Sequence, residues 1–176
     1  IEHMDAGIAR VIAALKENRI PIDTIARGYR EERGRAQLDV LWPPAGWESE
    51  RANDTSIVLS IRAGNRRLLL NGDLDRLATP ALLKFNDDLR ADITDLPHHG
   101  SFVPDSARWF EKVAPRFVLQ SSGPTRLRND KWAEVLSDPK LTRLVTAQRG
   151  MIELRVEEDG SITWSAFREL PQPAEP

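Results

Sequence analysis

Two short segments of this sequence carry side chains that could bind a metal ion or move a proton. The first is an apolar run, 68–70, that continues into Asn71-Gly72-Asp73, and the second is Pro97-His98-His99-Gly100-Ser101. Both follow predicted strands, and functional residues of α/β sheets collect where strands end. Imidazole nitrogen and carboxylate oxygen together suit zinc or manganese. We therefore take Asp73, His98 and His99 as candidate catalytic and metal-binding residues.

Each segment also has a simpler interpretation. An aspartate after a glycine at a strand end is commonly a turn or a helix cap, so Asp73 could cap the helix that follows. Isolated histidine pairs are more often surface or packed residues than ligands. In extended chain His98 and His99 would point in different directions, so one could bind a metal while the other contacts the loop or the substrate. The sequence does not decide which of the two binds.

The elements predicted around these segments form a layered α/β structure. Apolar periodicity and turn residues predict helices and strands that alternate in the middle of the chain, with a hairpin near each end. This pattern indicates one mixed sheet with flanking helices. Helices are predicted at 6–18, 74–85, 104–113 and 130–136, and strands at 22–26, 38–42, 56–61, 67–70, 92–96, 116–120, 143–146, 151–156 and 161–164.

Composition restricts the chemistry further. The 176 residues include no cysteine, which excludes disulfides, thiolate zinc sites and cysteine nucleophiles. The net charge is −2, so nucleic-acid binding would need a local basic patch, for which Arg126, Arg128 and Lys131 are candidates. No apolar run approaches the roughly 20 residues that span a bilayer. We expect a single domain, 1–176, with a disordered tail at 170–176, that is soluble and makes no membrane contact, although it could be a soluble part of a larger membrane protein in any compartment.

The order strand, Gly-Asp, helix, strand, Pro-His-His-Gly-Ser resembles the second half of the metallo-β-lactamase fold. It is most similar to the version found at the C-terminus of ComEC-type DNA-uptake (competence) proteins. Supporting matches are Asn53-Asp54-Thr55-Ser56, Leu69-Leu70-Asn71-Gly72-Asp73 and Ala114-Pro115-Arg116, and the resemblance covers about residues 53–164. It implies half of an αβ/βα sandwich from a lineage of metal-dependent phosphodiesterases and nucleases. Asp73 would then be a carboxylate able to bridge two metals, and one of His98 and His99 a ligand.

The chain departs from that family at its N-terminus. The family motif His-x-His/Asp-x-Asp-His is matched only by His3 and Asp5, because Gly7 and Ile8 stand where the second Asp and His belong. Three explanations remain open: a fragment, a degenerate homologue without metal, or one weak site built from Asp73, one histidine and His3 or Asp5.

Because the N-terminal metal motif is incomplete, two functions remain to be considered. We expect a metal-dependent hydrolase domain that is impaired or incomplete in this chain, with zinc, manganese or no metal. The alternative is a non-catalytic module that binds nucleic acid or a protein partner. Because half a sandwich would expose an apolar sheet face, the missing N-terminal half or a homodimer mate is an expected partner.

Overall fold

The structure is a computed structural model that describes residues 6–168. His3, Asp5 and the predicted tail at 170–176 lie outside the described residues. A seven-stranded sheet forms the centre, and its strand order follows the chain from first to last. The strands are β1 (Arg30–Arg33), β2 (Ala36–Trp42), β3 (Val58–Ala63), β4 (Arg66–Leu70), β5 (Ile93–Asp95), β6 (Phe117–Gln120) and β7 (Thr142–Val145).

The sheet is mixed, as the sequence predicts. Strands β1 to β4 pair antiparallel, and β4 to β7 pair parallel. One short 3-10 segment, Ala52–Thr55, and a tight turn at Pro97–Gly100 lie in the loops, and a separate hairpin follows the sheet. The helices are α1 (Ala6–Glu17), α2 (Ala78–Phe85), α3 (Ser106–Val113), α4 (Pro124–Arg128) and α5 (Thr146–Arg149), and the hairpin strands are β8 (Ile152–Val156) and β9 (Ile162–Ala166).

The main core lies between α2, α3 and one face of the sheet. It is built around three fully buried tryptophans, Trp42, Trp109 and Trp132, packed with leucines and valines of the neighbouring elements. Alternation along the strands sends every second side chain to this face, as with Val118 of β6 and Leu69 of β4, both fully buried. The helical layer therefore fixes the positions of the loops that follow β4, β5 and β6.

The hairpin β8–β9 covers part of the opposite face. Ile61, Leu68 and Leu119 of the sheet face Ile152 and Leu154 of the hairpin across an apolar cavity of about 260 Å³.

Helix α1 is a solvent-exposed element. None of its twelve residues is buried, and Ile8 and Val11 on its predicted apolar stripe are 55% and 59% exposed. The helix is present where the sequence predicts it, but its apolar stripe is not packed into a core within the described part of the chain. No helix among residues 6–168 is long and apolar enough to cross a membrane.

Two predicted elements are wrong. Residues 22–26 do not form a strand, and the outermost strand is β1, inside the segment 27–35 that reads as a polar loop. Residues 130–136 form turns rather than a helix, and the short helix lies earlier, at α4, with Pro124 at its first turn. Proline suits that position because its missing N–H would have no helical partner there.

Candidate functional site

Asp73 and the two histidines meet at one edge of the sheet. Asp73 follows β4 and His98–His99 follow β5, which are parallel neighbours, so their carboxyl ends lie side by side. His99 Nε2 lies 3.5 Å from Asp73 Oδ1, and both side chains are partly accessible, at 57% and 41% exposed. The structure thus brings together the two segments from which the sequence predicts the site.

A second acid–histidine pair stands beside the first. His98 Nδ1 lies 3.7 Å from Asp75 Oδ2, and both side chains are more enclosed than those of the first pair. Asn53 Nδ2 lies 3.5 Å from Nδ1 and 3.4 Å from Nε2 of His98. The sequence analysis missed Asp75 and Asn53 as site residues. The available signals were the spacing of Asp75 two residues after Asp73 and the Asn53-Asp54 match.

The backbone of both histidines is left-handed rather than extended. His98 has φ 46° and ψ 52°, and His99 has φ 57° and ψ 25°. The expectation of an extended chain is therefore wrong. The two rings still lie next to different carboxylates, His98 near Asp75 and His99 near Asp73. Each such conformation costs an L-residue roughly 1–2 kcal/mol. Strain of this kind concentrates where a function requires a particular geometry.

Backbone hydrogen bonds hold this histidine turn in place. His98 N donates to Gly72 O at 2.9 Å, and Ser101 N donates to His98 O at 2.9 Å. The His99 ring is fixed separately, because its Nδ1 lies 2.9 Å from Ser121 O. A carbonyl can only accept, so Nδ1 carries the hydrogen, and the neutral ring presents the lone pair of Nε2 to Asp73.

A buried polar network supports the turn from beneath. Gln120, 1% exposed, points its Nε2 toward His99 O at 3.5 Å and donates to Ser122 Oγ at 3.0 Å. Arg143 donates to Gln120 Oε1 through Nε at 3.2 Å and also through Nη2. Arg143 also binds Asp130 with both terminal nitrogens. This network ties β6 and β7 to the histidine turn.

The ends of β4 and β5 are joined by a second polar contact. Asn71 donates to Asp95 Oδ1 from its backbone N at 2.8 Å and from Nδ2 at 2.9 Å. Burial raises the pKa of the Asp95 carboxyl, and these two hydrogen bonds act in the opposite direction. These two hydrogen bonds between Asn71 and Asp95 fix the spacing of the ends of β4 and β5, which Asp73 and His98 follow.

Helix α2 is capped by Asp54 and not by Asp73. The Asp54 side chain is fully buried, and its Oδ1 accepts from Leu77 N at 3.0 Å and Ala78 N at 2.8 Å. This is the capping role considered for Asp73 from sequence. Asp73 is instead positioned through its backbone, with its N donating to Ser56 Oγ at 3.2 Å, and its carboxylate is directed to His99.

The geometry meets part of the requirement for a metal. Two ligands each about 2.1 Å from a tetrahedral zinc lie about 3.4 Å apart, close to the 3.5 Å between His99 Nε2 and Asp73 Oδ1. Both atoms are electron-pair donors, so a cation or a proton between them is favourable. However, no group of three or more such side chains within residues 6–168 could hold one ion. The described residues therefore supply part of a ligand set.

The basic residues predicted for nucleic-acid binding divide into two groups. Arg126 and Lys131 line a cleft of about 390 Å³ together with Gly100 and Ser101, next to the histidine turn. Arg128 is exposed on the same helix but does not line that cleft.

Comparison with known proteins finds relatives among competence proteins. No family model matches the chain. It is 25% identical over 149 residues to ComE operon protein 3 of Bacillus subtilis (strain 168), covering 83% of this chain and 19% of that protein. It is 36% identical over 72 residues to Competence protein ComA of Neisseria gonorrhoeae, covering 40% of this chain and 10% of that protein. These relatives confirm the predicted resemblance to ComEC-type competence proteins.

The Uncharacterized protein YcaI of Escherichia coli (strain K12) is 28% identical over 82 residues, covering 46% of this chain and 11% of that protein. The chain thus spans about a fifth or less of the length of each of these three relatives. A proposed Zn-dependent hydrolase of the metallo-β-lactamase superfamily from Thermotoga maritima aligns with a TM-score of 0.41 at 12% identity, over 71% of both chains.

Proposed function

We propose that this chain, a relative of the ComEC-type competence proteins, carries part of the active centre of a metallo-β-lactamase-like domain of the metal-dependent phosphodiesterase or nuclease lineage. The observation that supports this most directly is the Asp73–His99 pair, whose 3.5 Å separation leaves room for a cation between carboxylate and imidazole. Zinc or manganese suits such a nitrogen and oxygen set.

The residues of this chain would orient and hold the metal. Ser121 O fixes the His99 ring through Nδ1, which leaves Nε2 as the ligand atom. The left-handed turn and its hydrogen bonds keep that ring directed at Asp73, while His98 and Asp75 form the adjoining pair. A bound divalent ion would neutralise phosphate charge and lower the pKa of a water molecule.

Further ligands have to come from outside residues 6–168, because within them no three suitable side chains converge. His3 and Asp5 of this chain are one source, which would give a single weak site. An N-terminal half of the kind that the resemblance implies, or a homodimer mate, is another source. We treat the whole of 1–176 as one domain that needs such completion for hydrolysis.

A second candidate function is a non-catalytic module that binds nucleic acid or a protein partner. Two observations favour it. Within residues 6–168 no three metal-ligating side chains come together around one point. A cleft lined by basic residues adjoins the histidine turn. In this alternative the histidine turn is retained as structure, and the metal is absent in the working protein.

Elemental analysis of the full chain after dialysis against zinc or manganese tests the first candidate. We expect bound metal in the wild-type chain and its loss in Asp73→Ala and in His99→Ala. Asp87→Ala, at an exposed carboxylate away from the site, serves as the matched control and should keep the metal. Metal content unchanged in Asp73→Ala would overturn the assignment. Absence of metal from the wild-type chain would favour the second candidate.

A further inference from the structure

A groove of about 790 Å³ separates helix α3 from the segment 134–141. One face of α3 is buried in the core through Trp109 and Val113, and another face, with Phe110 and Glu111, lines the groove. The volume falls within the roughly 300–1,000 Å³ that is typical of sites for small molecules. We name this feature the α3 groove.

The floor of the α3 groove is apolar and is backed by a buried tryptophan. Phe102 and Phe110 are half-buried, and their ring centroids lie 5.0 Å and 6.2 Å from that of Trp132 in edge contacts. Trp132 is 1% exposed, so both phenylalanine rings rest on a fixed surface. Val135 and Leu141 extend the apolar lining. An aromatic or aliphatic group placed here would bury its surface against side chains that are already in position.

One end of the α3 groove carries two positive charges. Arg116 directly precedes β6, and Lys140 lies two residues before β7. These parallel strands start side by side, since Thr142 N donates to Arg116 O at 2.8 Å. Both cationic side chains are exposed, and neither has an ion pair or a side-chain hydrogen bond with any residue of the range 6–168. This end is therefore suited to a carboxylate of a ligand.

The two walls of the α3 groove carry negative charge. Glu111 lies on α3 and Glu134 on the facing segment, and both side chains are exposed and unpaired within the described part of the chain. A third acid, Asp138, is already engaged, because its Oδ1 accepts a hydrogen bond from Lys140 N at 2.8 Å. The two available carboxylates are suited to an ammonium group of a ligand.

A ligand that uses the floor, the cationic end and the acidic walls together needs an apolar body, a carboxylate and an ammonium group. A simple organic cation or anion would satisfy one charged region and lie near like charges in the other. Amino acids and dipeptides with an aromatic side chain carry all three groups in one small molecule.

We propose that the α3 groove binds a small zwitterion with an aromatic body, of the class of aromatic amino acids and dipeptides. Its ring lies on the phenylalanine floor, its carboxylate faces Arg116 and Lys140, and its ammonium group faces Glu111 and Glu134. The groove includes none of the metal ligands proposed above, so this inference does not rest on the proposed function.

Isothermal titration calorimetry with the full chain tests this proposal. The probes are leucyl-phenylalanine, its N-acetyl form, which lacks the ammonium group, and its amide form, which lacks the carboxylate. We expect leucyl-phenylalanine to bind with a dissociation constant on the order of 0.1 mM. Each modified form should bind about two- to fivefold more weakly, as expected for the loss of a solvent-exposed ion pair. No binding by the wild-type chain, or equal affinity for the three probes, would overturn the proposal.

Two double variants test where each charge of the ligand lies. Glu111→Gln/Glu134→Gln should bind leucyl-phenylalanine and its N-acetyl form equally, because the partners of the ammonium group are gone. Arg116→Gln/Lys140→Gln should bind leucyl-phenylalanine and its amide form equally. A groove variant that kept the corresponding preference of the wild-type chain would contradict the assigned orientation.

The matched controls change the same number of charges at exposed positions outside the groove. They are Glu48→Gln/Glu50→Gln for the acids and Lys84→Gln/Arg90→Gln for the cations. Both should keep the two preferences of the wild-type chain. Equal changes in the control and groove variants would show an effect of net charge and would overturn the site.

The apolar floor is tested by filling the groove. Ala107 lines it and is half-buried, so Ala107→Phe should occupy the space above the floor and weaken binding at least about tenfold. Circular dichroism melting verifies that this variant folds. Unchanged affinity in a folded Ala107→Phe chain would overturn the location, as would glycyl-glycine that bound as tightly as leucyl-phenylalanine. Tighter binding of free phenylalanine than of leucyl-phenylalanine would support the amino acid as the ligand, and weaker binding would support the dipeptide.

Discussion

Gly100 and Gln120 approach each other so closely that position 100 has no room for a side chain. A Cβ at Gly100 would lie 2.6 Å from Gln120 Nε2, and the Gly100 φ of +85° is itself unfavourable for other residues. Gln120 cannot easily withdraw, because it is buried and its oxygen is held by Arg143. The end of the histidine turn thus packs directly on the buried network of β6 and β7.

We expect Gly100→Ala to lower the free energy of unfolding by about 1–3 kcal/mol, through overpacking and a positive φ. It should also displace His99. The measurement is urea unfolding of the full chain followed by fluorescence. Gly123→Ala is the matched control, since Gly123 has no atom within 4 Å of an added Cβ and no positive φ. An unchanged stability for Gly100→Ala would show that Gln120 can move aside.

Asp54 provides a second prediction, because it caps α2 from a loop that precedes β3. Removing its carboxylate in Asp54→Ala leaves two N–H groups without this partner, the buried one of Ala78 and the partly buried one of Leu77. We expect a loss of about 2–4 kcal/mol in the free energy of unfolding, from about 1–2 kcal/mol for each lost bond. Asp54→Asn keeps an oxygen at this position and should retain most of the stability. Equal losses in the two variants would show that charge, rather than the cap, is what matters.

The left-handed histidine turn predicts that glycine and alanine at position 99 differ in their effect on stability but not in their effect on metal binding. Glycine adopts φ 57° without the steric cost that His99 bears. We therefore expect His99→Gly to be more stable than His99→Ala by about 1 kcal/mol. Both variants lack the Nε2 atom that we propose as a metal ligand, so both should bind less metal than the wild-type chain. Thermal melting with elemental analysis checks the two parts separately, and equal stability of the Gly and Ala variants would argue against strain at this position.

Acid should weaken the Asp130–Arg143 contact. The hydrogen bond from Arg143 is the main cause that holds the pKa of Asp130 below its ordinary value. A carboxyl whose folded-state pKa is depressed stabilises the fold above its unfolded pKa of about 3.9 and loses that contribution as the pH falls through the folded pKa. We expect the coupling free energy of a cycle with Asp130→Asn and Arg143→Gln to be constant from about pH 7 to about pH 5. It should decline below about pH 4, and a coupling that persisted at the lowest pH would contradict this assignment.

The central sheet and the site segments could be predicted because their signals are local. The turn at Gly64-Asn65 between apolar runs predicts the β3–β4 hairpin, and the structure has it. The placement of Asp73 and the histidines after parallel strands follows from the alternation of strands and helices. The relatives among competence proteins agree with the motifs from which the resemblance was drawn.

The remaining features depend on contacts that no local pattern specifies. Strand β1 reads Arg-Glu-Glu-Arg, which has no apolar alternation and suits an exposed edge strand. The apolar residues at 22–26 predict a strand, but no partner strand is available to them in the structure. Asp75 and Asn53 join the site through their contacts with the ring of His98, whose backbone is left-handed. That backbone is stabilised by Gly72, far from it in the sequence.

The strand order of the sheet has a consequence for how the chain reaches this structure. Within the seven-stranded sheet each strand from β2 to β7 pairs with its predecessor in the chain, so each pairing closes a single loop and none requires a later strand to insert between earlier ones. Strands can therefore be added to the sheet one after another, from β2, β3 and β4 toward β7. Arg143, which fixes Gln120 under the histidines, lies on β7 at the end of this sequence. The histidine turn would then reach its final geometry in the last step of assembly, and folding intermediates would lack the Asp73–His99 site even when most of the sheet has formed.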